Sequence, residues 1–237
     1  EAANADDLYL PSVFKDPSAV DDATVNIAHY APFGPSQDGT SVSIFVDGAE
    51  ALPDVKFGDV QTGIPLTAGD HLIEIKPTGT STVAISGTIT LAAGGSYTAM
   101  AIGDGANQPL GLKLLNDSTA APAAGTGKLR VGHLAPFAAD IDDTKVDICI
   151  DGATSPVAPQ LQGVPYNAVT DFLELPADDY DLIVTIAGSN CADVVLDIPS
   201  VRLGDGEIAD AYAIGKNSMT FPLSISTVLG INFTPVP

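Results

Sequence analysis

Apolar and polar residues alternate along most of this chain with a period of two. Val42, Ile44 and Val46 are interleaved with Ser41, Ser43 and Phe45, and Asp47-Gly48 follows as a turn dipeptide. Ile73 and Ile75 alternate with Glu74 and Lys76. Val83, Ile85, Ile89 and Leu91 alternate with Thr82, Ala84, Ser86, Thr88 and Thr90, which predicts one long strand with its threonines facing water. Val25 and Ile27 open a strand that ends by Pro32, because proline has no N–H to continue a ladder. Further strands are predicted over 97–102 and 110–115. They are predicted again on Val146, Ile148 and Ile150, on Tyr180, Leu182, Val184 and Ile186, and on Ala192, Val194, Leu196 and Ile198. No long segment keeps a helical period. The fold expected is all-β, with about seven short strands per hundred residues arranged as antiparallel sandwiches of the immunoglobulin-like or transthyretin-like kind.

The pattern occurs twice. Val25 to Phe33 (VNIAHYAPF) matches Leu129 to Phe137 (LRVGHLAPF), with His29 and His133 at equivalent places. Val42 to Gly48 matches Val146 to Gly152, Phe57 to Leu66 matches Tyr166 to Leu175, and Ala68 to Ile75 matches Ala177 to Val184. Ala101-Ile-Gly103 then matches Ala213-Ile-Gly215. A period this long is the size of a whole domain rather than of a solenoid repeat. The expected organisation is an N-terminal extension over 1–21, a first domain over 22–117 and a small, Pro/Gly-rich linker over 118–127. A second domain over 128–237 follows, its apolar end adding an extra strand.

The strand ending in His-x-Ala-Pro, the strand ending in Asp-Gly and the Ala-Gly-Asp-His strand entry resemble the family called domain of unknown function 4397. The matching pieces are His29 to Pro32 with His133 to Pro136, Asp47-Gly48 with Asp151-Gly152, and Ala68 to His71 with Ala177 to Tyr180. The second of these last two departs from the pattern with Asp178 in place of glycine. The resemblance implies secreted or surface-attached β-sandwich modules of bacteria and archaea, often in tandem, with no assigned activity.

Charge narrows the partners. Nine Lys and Arg against 30 Asp and Glu give a formal charge of −21, a field that repels phosphate backbones and anionic lipid surfaces. No nucleic acid partner is therefore expected, and no apolar run is long enough for membrane insertion. The chain begins at Glu1 rather than Met, so removal of an export signal and an extracellular or cell-surface location are expected. Cys149 and Cys191 share the off-core phase of their strands, which suits one disulfide in an oxidising compartment; two unrelated buried thiols are the alternative.

Candidate chemistry is sparse. His29, His71 and His133 have no His-x-His or His-x-x-x-His spacing, so they read as packing residues rather than as ligands. Asp140, Asp142 and Asp143 offer calcium some oxygens but lack the Asp-x-Asp-x-Asp-Gly loop and its distal Glu, leaving calcium weakly supported and no cofactor expected. No nucleophile elbow or triad order is present, and the protein is expected not to be an enzyme. The N-terminal extension is different. Leu8, Tyr9, Leu10, Val13 and Phe14 are large apolar groups that a free tail gains nothing by exposing. They predict a subunit contact, in which the tail is donated as a strand to a neighbouring molecule and the protein assembles with itself as a surface filament. The alternative is a cell-surface adhesion module that recognises another protein or a glycan.

Overall fold

The computed structural model describes residues 22–117, 120–216 and 218–229. The extension, with Leu8, Tyr9, Leu10, Val13 and Phe14, lies outside the described residues, as do the last eight residues of the chain.

The first half has eight strands: β1 (Ala23–His29), β2 (Val42–Val46), β3 (Ala49–Val55), β4 (Val60–Leu66), β5 (Gly69–Pro77), β6 (Ile85–Leu91), β7 (Ser96–Ile102) and β8 (Gly111–Asn116). They form two sheets, β4-β1-β7-β8 and β3-β2-β5-β6. The second half has β9 (Thr126–His133), β10 (Val146–Ile150), β11 (Ala168–Val169), β12 (Leu173–Pro176), β13 (Asp178–Ile186), β14 (Val194–Leu203), β15 (Ile208–Ile214) and β16 (Ser224–Ser226). These also form two sheets, β11-β9-β15-β16, with β12 on β9 as well, and β10-β13-β14.

The registers of the two halves coincide. Thr24 to His29 of β1 pair in parallel with Ser96 to Ala101 of β7, and Lys128 to His133 of β9 pair in parallel with Ile208 to Ala213 of β15. Ile44 faces Ile75, and its counterpart Ile148 faces Val184. The all-β sandwich expected from the alternation is present in both halves, with one departure: β1·β7 and β9·β15 are parallel. Parallel neighbours require a long crossover, and the chain supplies it by building the other sheet between the two strands.

Four sheets therefore stack in sequence, with three apolar layers between them. Val25, Ile44, Ile75, Ile89 and Ala99 fill the first sandwich, and Leu129, Ile148, Val184, Ile198 and Val201 fill the second. The middle layer joins the halves: Ala28, Tyr30, Met100 and Ile102 of one pack with Leu134, Tyr212 and Ile214 of the other. Tyr30, Met100, Leu134 and Tyr212 are fully buried. Large apolar groups with no exposure give this layer the character of a core.

Several strand details depart from the alternation. Val83 is exposed and precedes β6, which starts only at Ile85. Ile150, Ile186 and Val194, expected in the core, are 41%, 53% and 50% exposed because they stand at strand ends, beyond the cover of the opposing sheet. Strands β3 and β4 carry too few buried residues to show a period. β3 is instead set by its turn, where Asp47 and Gly48 both have positive φ, the backbone of a tight two-residue hairpin. In the second half, 151–163 hold extra residues and a short 3-10 turn (Pro159–Leu161) in place of such a strand. The last two residues assigned to a linker, Thr126 and Gly127, already belong to β9. β16 pairs with β15 as β8 pairs with β7 and is therefore the counterpart of β8, while the rest of the apolar end, 230–237, lies outside the described residues. Among the described residues no helix is long and apolar enough to cross a membrane.

Candidate functional site

The repeated His-x-Ala-Pro phrase works as a pin. The Nε2 of His29 lies 2.8 Å from the Thr40 carbonyl, and the Nε2 of His133 lies 2.8 Å from the Thr144 carbonyl. A carbonyl only accepts, so the proton is on Nε2 in both rings. The Thr40 hydroxyl accepts from the Phe57 amide at 2.9 Å and the Thr144 hydroxyl from the Tyr166 amide at 2.9 Å. Each histidine thus ties the end of a central strand to the loop ahead of the next sheet. Burial pushes the His29 imidazole below its ordinary value and takes His133 down to about 4. Neutral, buried and bonded through Nε2 to backbone, both rings hold the fold together.

His71 differs. Its Nε2 donates to the Thr67 carbonyl at 2.8 Å and its Nδ1 lies 2.7 Å from an Asp47 carboxylate oxygen, and the first of these with the second raises its pKa. Its counterpart Tyr180 donates to the Pro176 carbonyl at 2.7 Å, so both side chains close the same four-residue turn. Asp140 accepts the Asp142 amide at 2.9 Å, and Asp142 pairs with Lys145 at 2.7 Å, so the acidic loop bonds to itself. Among the described residues no group of three or more His, Cys, Asp or Glu is placed to hold a metal ion.

Cys149 and Cys191 are joined, with Cα atoms 6.1 Å apart, on the face of the β10-β13-β14 sheet that points away from the core. They bury Ile183 between them as a small separate cluster.

Where the halves meet, the guanidinium of Arg130 donates from Nη2 to Asp117 at 2.7 Å and to Asp210 at 3.2 Å, and from Nη1 to the Asn116 carbonyl at 3.0 Å. All three charged groups are at most 3% exposed. Asp117 also accepts from the Thr98 hydroxyl at 2.9 Å and the Asn26 amide at 3.3 Å. Asp210 accepts from the Val228 and Leu229 amides and the Tyr212 hydroxyl at 2.7–3.1 Å. Phe172 lies 4.7 Å from the guanidinium carbon. At the rim, Asn107 and Gln108 donate to the Pro136 and Ala138 carbonyls at 2.9 Å. The network is closed on all sides by protein and joins the halves; it offers a ligand no approach.

An open groove lies elsewhere. Among the described residues, β6 and β8 are the edge strands of the two sheets of the first sandwich, and they lie side by side without pairing. Between them runs a groove of about 580 Å³ lined by Ser86 to Ala92, Tyr97, Leu112, Leu114 and Asn116. Leu112 and Leu114 pack against the core cluster and are only half-buried, so the core reaches the surface here. Ser86, Thr88 and Thr90 form an exposed polar lip. A Cβ on Gly87 would lie 3.3 Å from the Leu112 side chain, which narrows that end. Two unpaired strand edges above an apolar floor are chemically suited to an added strand, since the edges supply N–H and C=O groups and the floor takes alternate side chains. The alternation located β6 and β8 but gave no sign that they adjoin. The available signal was the pair Leu112 and Leu114 on a terminal strand, together with threonines at every second position of β6.

The family model described as "Domain of unknown function (DUF4397)" matches residues 23–144. The chain belongs to that family. The DUF4397 match begins with β1 and ends at Thr144, the residue that His133 holds, so it spans the first sandwich and the start of the second. No curated protein matches the chain. Among solved structures it is similar to a family-26 carbohydrate-binding module from Eubacterium rectale in complex with maltoheptaose, at 12% identity and TM-score 0.23, covering 91% of this chain and 98% of that one. A protein assigned as an adhesin from Bacteroides ovatus has 12% identity and TM-score 0.23, covering 91% and 95%. One assigned to cell adhesion from Bacteroides fragilis has 10% identity and TM-score 0.20, covering 92% and 99%. At such scores the chains do not superpose as wholes.

Proposed function

We propose that the protein is a non-catalytic, extracellular binding module built from two DUF4397 sandwiches, and that it recognises a protein partner by strand addition along the β6–β8 groove. The observation that carries this is the groove itself, where two strand edges that are unpaired among the described residues flank half-buried Leu112 and Leu114. The matching registers of β1·β7 and β9·β15 support the tandem reading. The Cys149–Cys191 bond supports an oxidising location, because such bonds persist outside the reducing cytosol. A polypeptide fits the groove better than a glycan does. Sugar rings stack on exposed aromatic faces. The groove's one aromatic, Tyr97, is 7% exposed, and its hydroxyl accepts the Ala92 amide at 2.8 Å.

The test is a titration of the isotope-labelled protein, followed by amide chemical shifts. Extended peptides with alternating apolar and polar residues are expected to move amides of β6 and β8 and few others, while neutral oligosaccharides leave them in place. Shifts caused only by the sugars would favour the glycan-binding module. If neither class of ligand moves these strands, strand addition is wrong.

A further inference from the structure

We propose that the occupant of this groove is residues 7–14 (DLYLPSVF) of a second copy of the chain. The inference rests on the strand-addition reading and names its partner.

The first argument is where the chain leaves the fold. The Thr24 amide donates to the Gly95 carbonyl at 2.8 Å, the Asp117 amide donates to the Ser96 carbonyl at 2.9 Å, and the Ala92 amide donates to the Tyr97 hydroxyl at 2.8 Å. These bonds bring the start of β1, the β6–β7 turn and the end of β8 together at one end of the sandwich. Ala92 and Asn116 line the groove there, and the narrow passage between Gly87 and Leu112 lies towards the other end. The N-terminal extension therefore departs beside the open mouth of a groove that wants a strand.

The second argument is chemical fit. Leu8 and Leu10 fall on one face of an extended segment, at the spacing of Leu112 and Leu114 on β8 and of Ile89 and Leu91 on β6. Tyr9 falls on the opposite face, on the side of the polar lip formed by Ser86, Thr88 and Thr90. Pro11 brings no N–H, so the added ladder ends after a few residues and does not run on into an unlimited sheet.

For an antiparallel strand, direction decides between the chain's own tail and a neighbour's. β6 and β8 both run towards the open mouth, and antiparallel pairing is the more stable kind. A strand antiparallel to both enters at the mouth and places Phe14 at the narrow end. To return to its own Asp22, residues 15–21 would have to retrace a six-residue strand of about 20 Å. Seven extended residues reach only about 25 Å, with no length left to pass around the edge. The tail of another molecule has no such constraint. Tail and groove are different surfaces of one chain, so the contact does not close on itself and continues from molecule to molecule. A charge of −21 on every copy opposes this, so association is expected to strengthen with salt.

Cysteine cross-linking of the full-length chain tests the proposal. With Leu10→Cys and Leu114→Cys in one molecule, mild oxidation is expected to give a ladder of covalent multimers on a non-reducing gel. The single variants should give dimers at most. If Leu114→Cys does not fold, Thr88→Cys on the exposed lip of β6 takes its place. A cross-link closed within the monomer would assign the groove to the chain's own tail and overturn the second-copy proposal. Absence of any Leu10 cross-link would remove the tail from the groove altogether. In that case the peptide titration tells whether strand addition itself survives.

Discussion

At the residue scale, buried histidines make stability depend on pH. His29 and His133 have folded-state pKa values below the ordinary 6.5, and that of His133 is about 4. The unfolded chain takes up protons in this range and the folded chain refuses them, so stability falls as pH drops from 6.5 towards 4. His71 acts in the opposite sense: its raised value adds stability below pH 6.5 that is lost as pH rises through the folded value. His133→Gln keeps a donor for the Thr144 carbonyl and removes the titration. Its stability measured against pH is expected to fall less steeply between 6.5 and 4, by up to about 3 kcal/mol across that window. An unchanged slope would mean that another group carries it. The sequence already marked these positions as a repeated phrase, but not as pins. Their partners, Thr40 and Thr144, lie 11 residues further on and share no short-range pattern with them.

Among the elements, only the repeat pointed to β9, and the alternation located β1, β2, β5 to β8, β10, β13 and β14. It was silent on β3 and β4, whose outward residues, such as Glu50, Pro53, Gln61 and Gly63, leave no period to read. Pairing direction was also beyond it: a strand's period is the same whether its neighbour is parallel or antiparallel, so the β1·β7 and β9·β15 pairs were invisible. The cysteines were expected to meet through a shared strand phase, but only Cys149 stands in a strand; Cys191 lies in the turn ahead of β14, with positive φ, and reaches Cys149 from there. Their bond spans a sequence separation of 42. A closed loop of that length contributes about 4 kcal/mol in the chain-entropy model. Cys149→Ser is expected to lower the melting temperature markedly, with amide exchange rising first in β10, β13 and β14. Equal loss of protection in β2 and β5 would show that the bond's influence is not local.

For the whole molecule, the middle layer makes the halves interdependent. The small, polar residues between them contain no large apolar side chain, yet Tyr30, Met100, Leu134 and Tyr212 are buried where the halves meet. Arg130 holds two carboxylates within that layer. Its replacement by Met would leave Asp117 and Asp210 buried without a counter-charge, a loss of about 3–5 kcal/mol. Calorimetry is expected to show one cooperative transition for the native protein and a lower, broader or divided one for Arg130→Met. Arg130→Asn combined with Asp210→Thr copies the first half's residues at those positions and should recover part of the loss. No recovery would mean that the ion pairs, rather than the packing around them, hold the halves together.

The middle layer is built from equivalent patches of the two halves. Ala28, Tyr30, Met100 and Ile102 stand where Gly132, Leu134, Tyr212 and Ile214 stand in the other half, so each half offers the contact the same patch of its surface. A patch that meets its own copy is what a twofold homodimer uses. In such a dimer Asn26 and Arg130 would be one gene position, as would Thr98 and Asp210. An arginine placed there would stand on both sides of the axis at once. In a single chain that constraint is absent, and one cation can stand against two acids at a place where symmetry would double every charge.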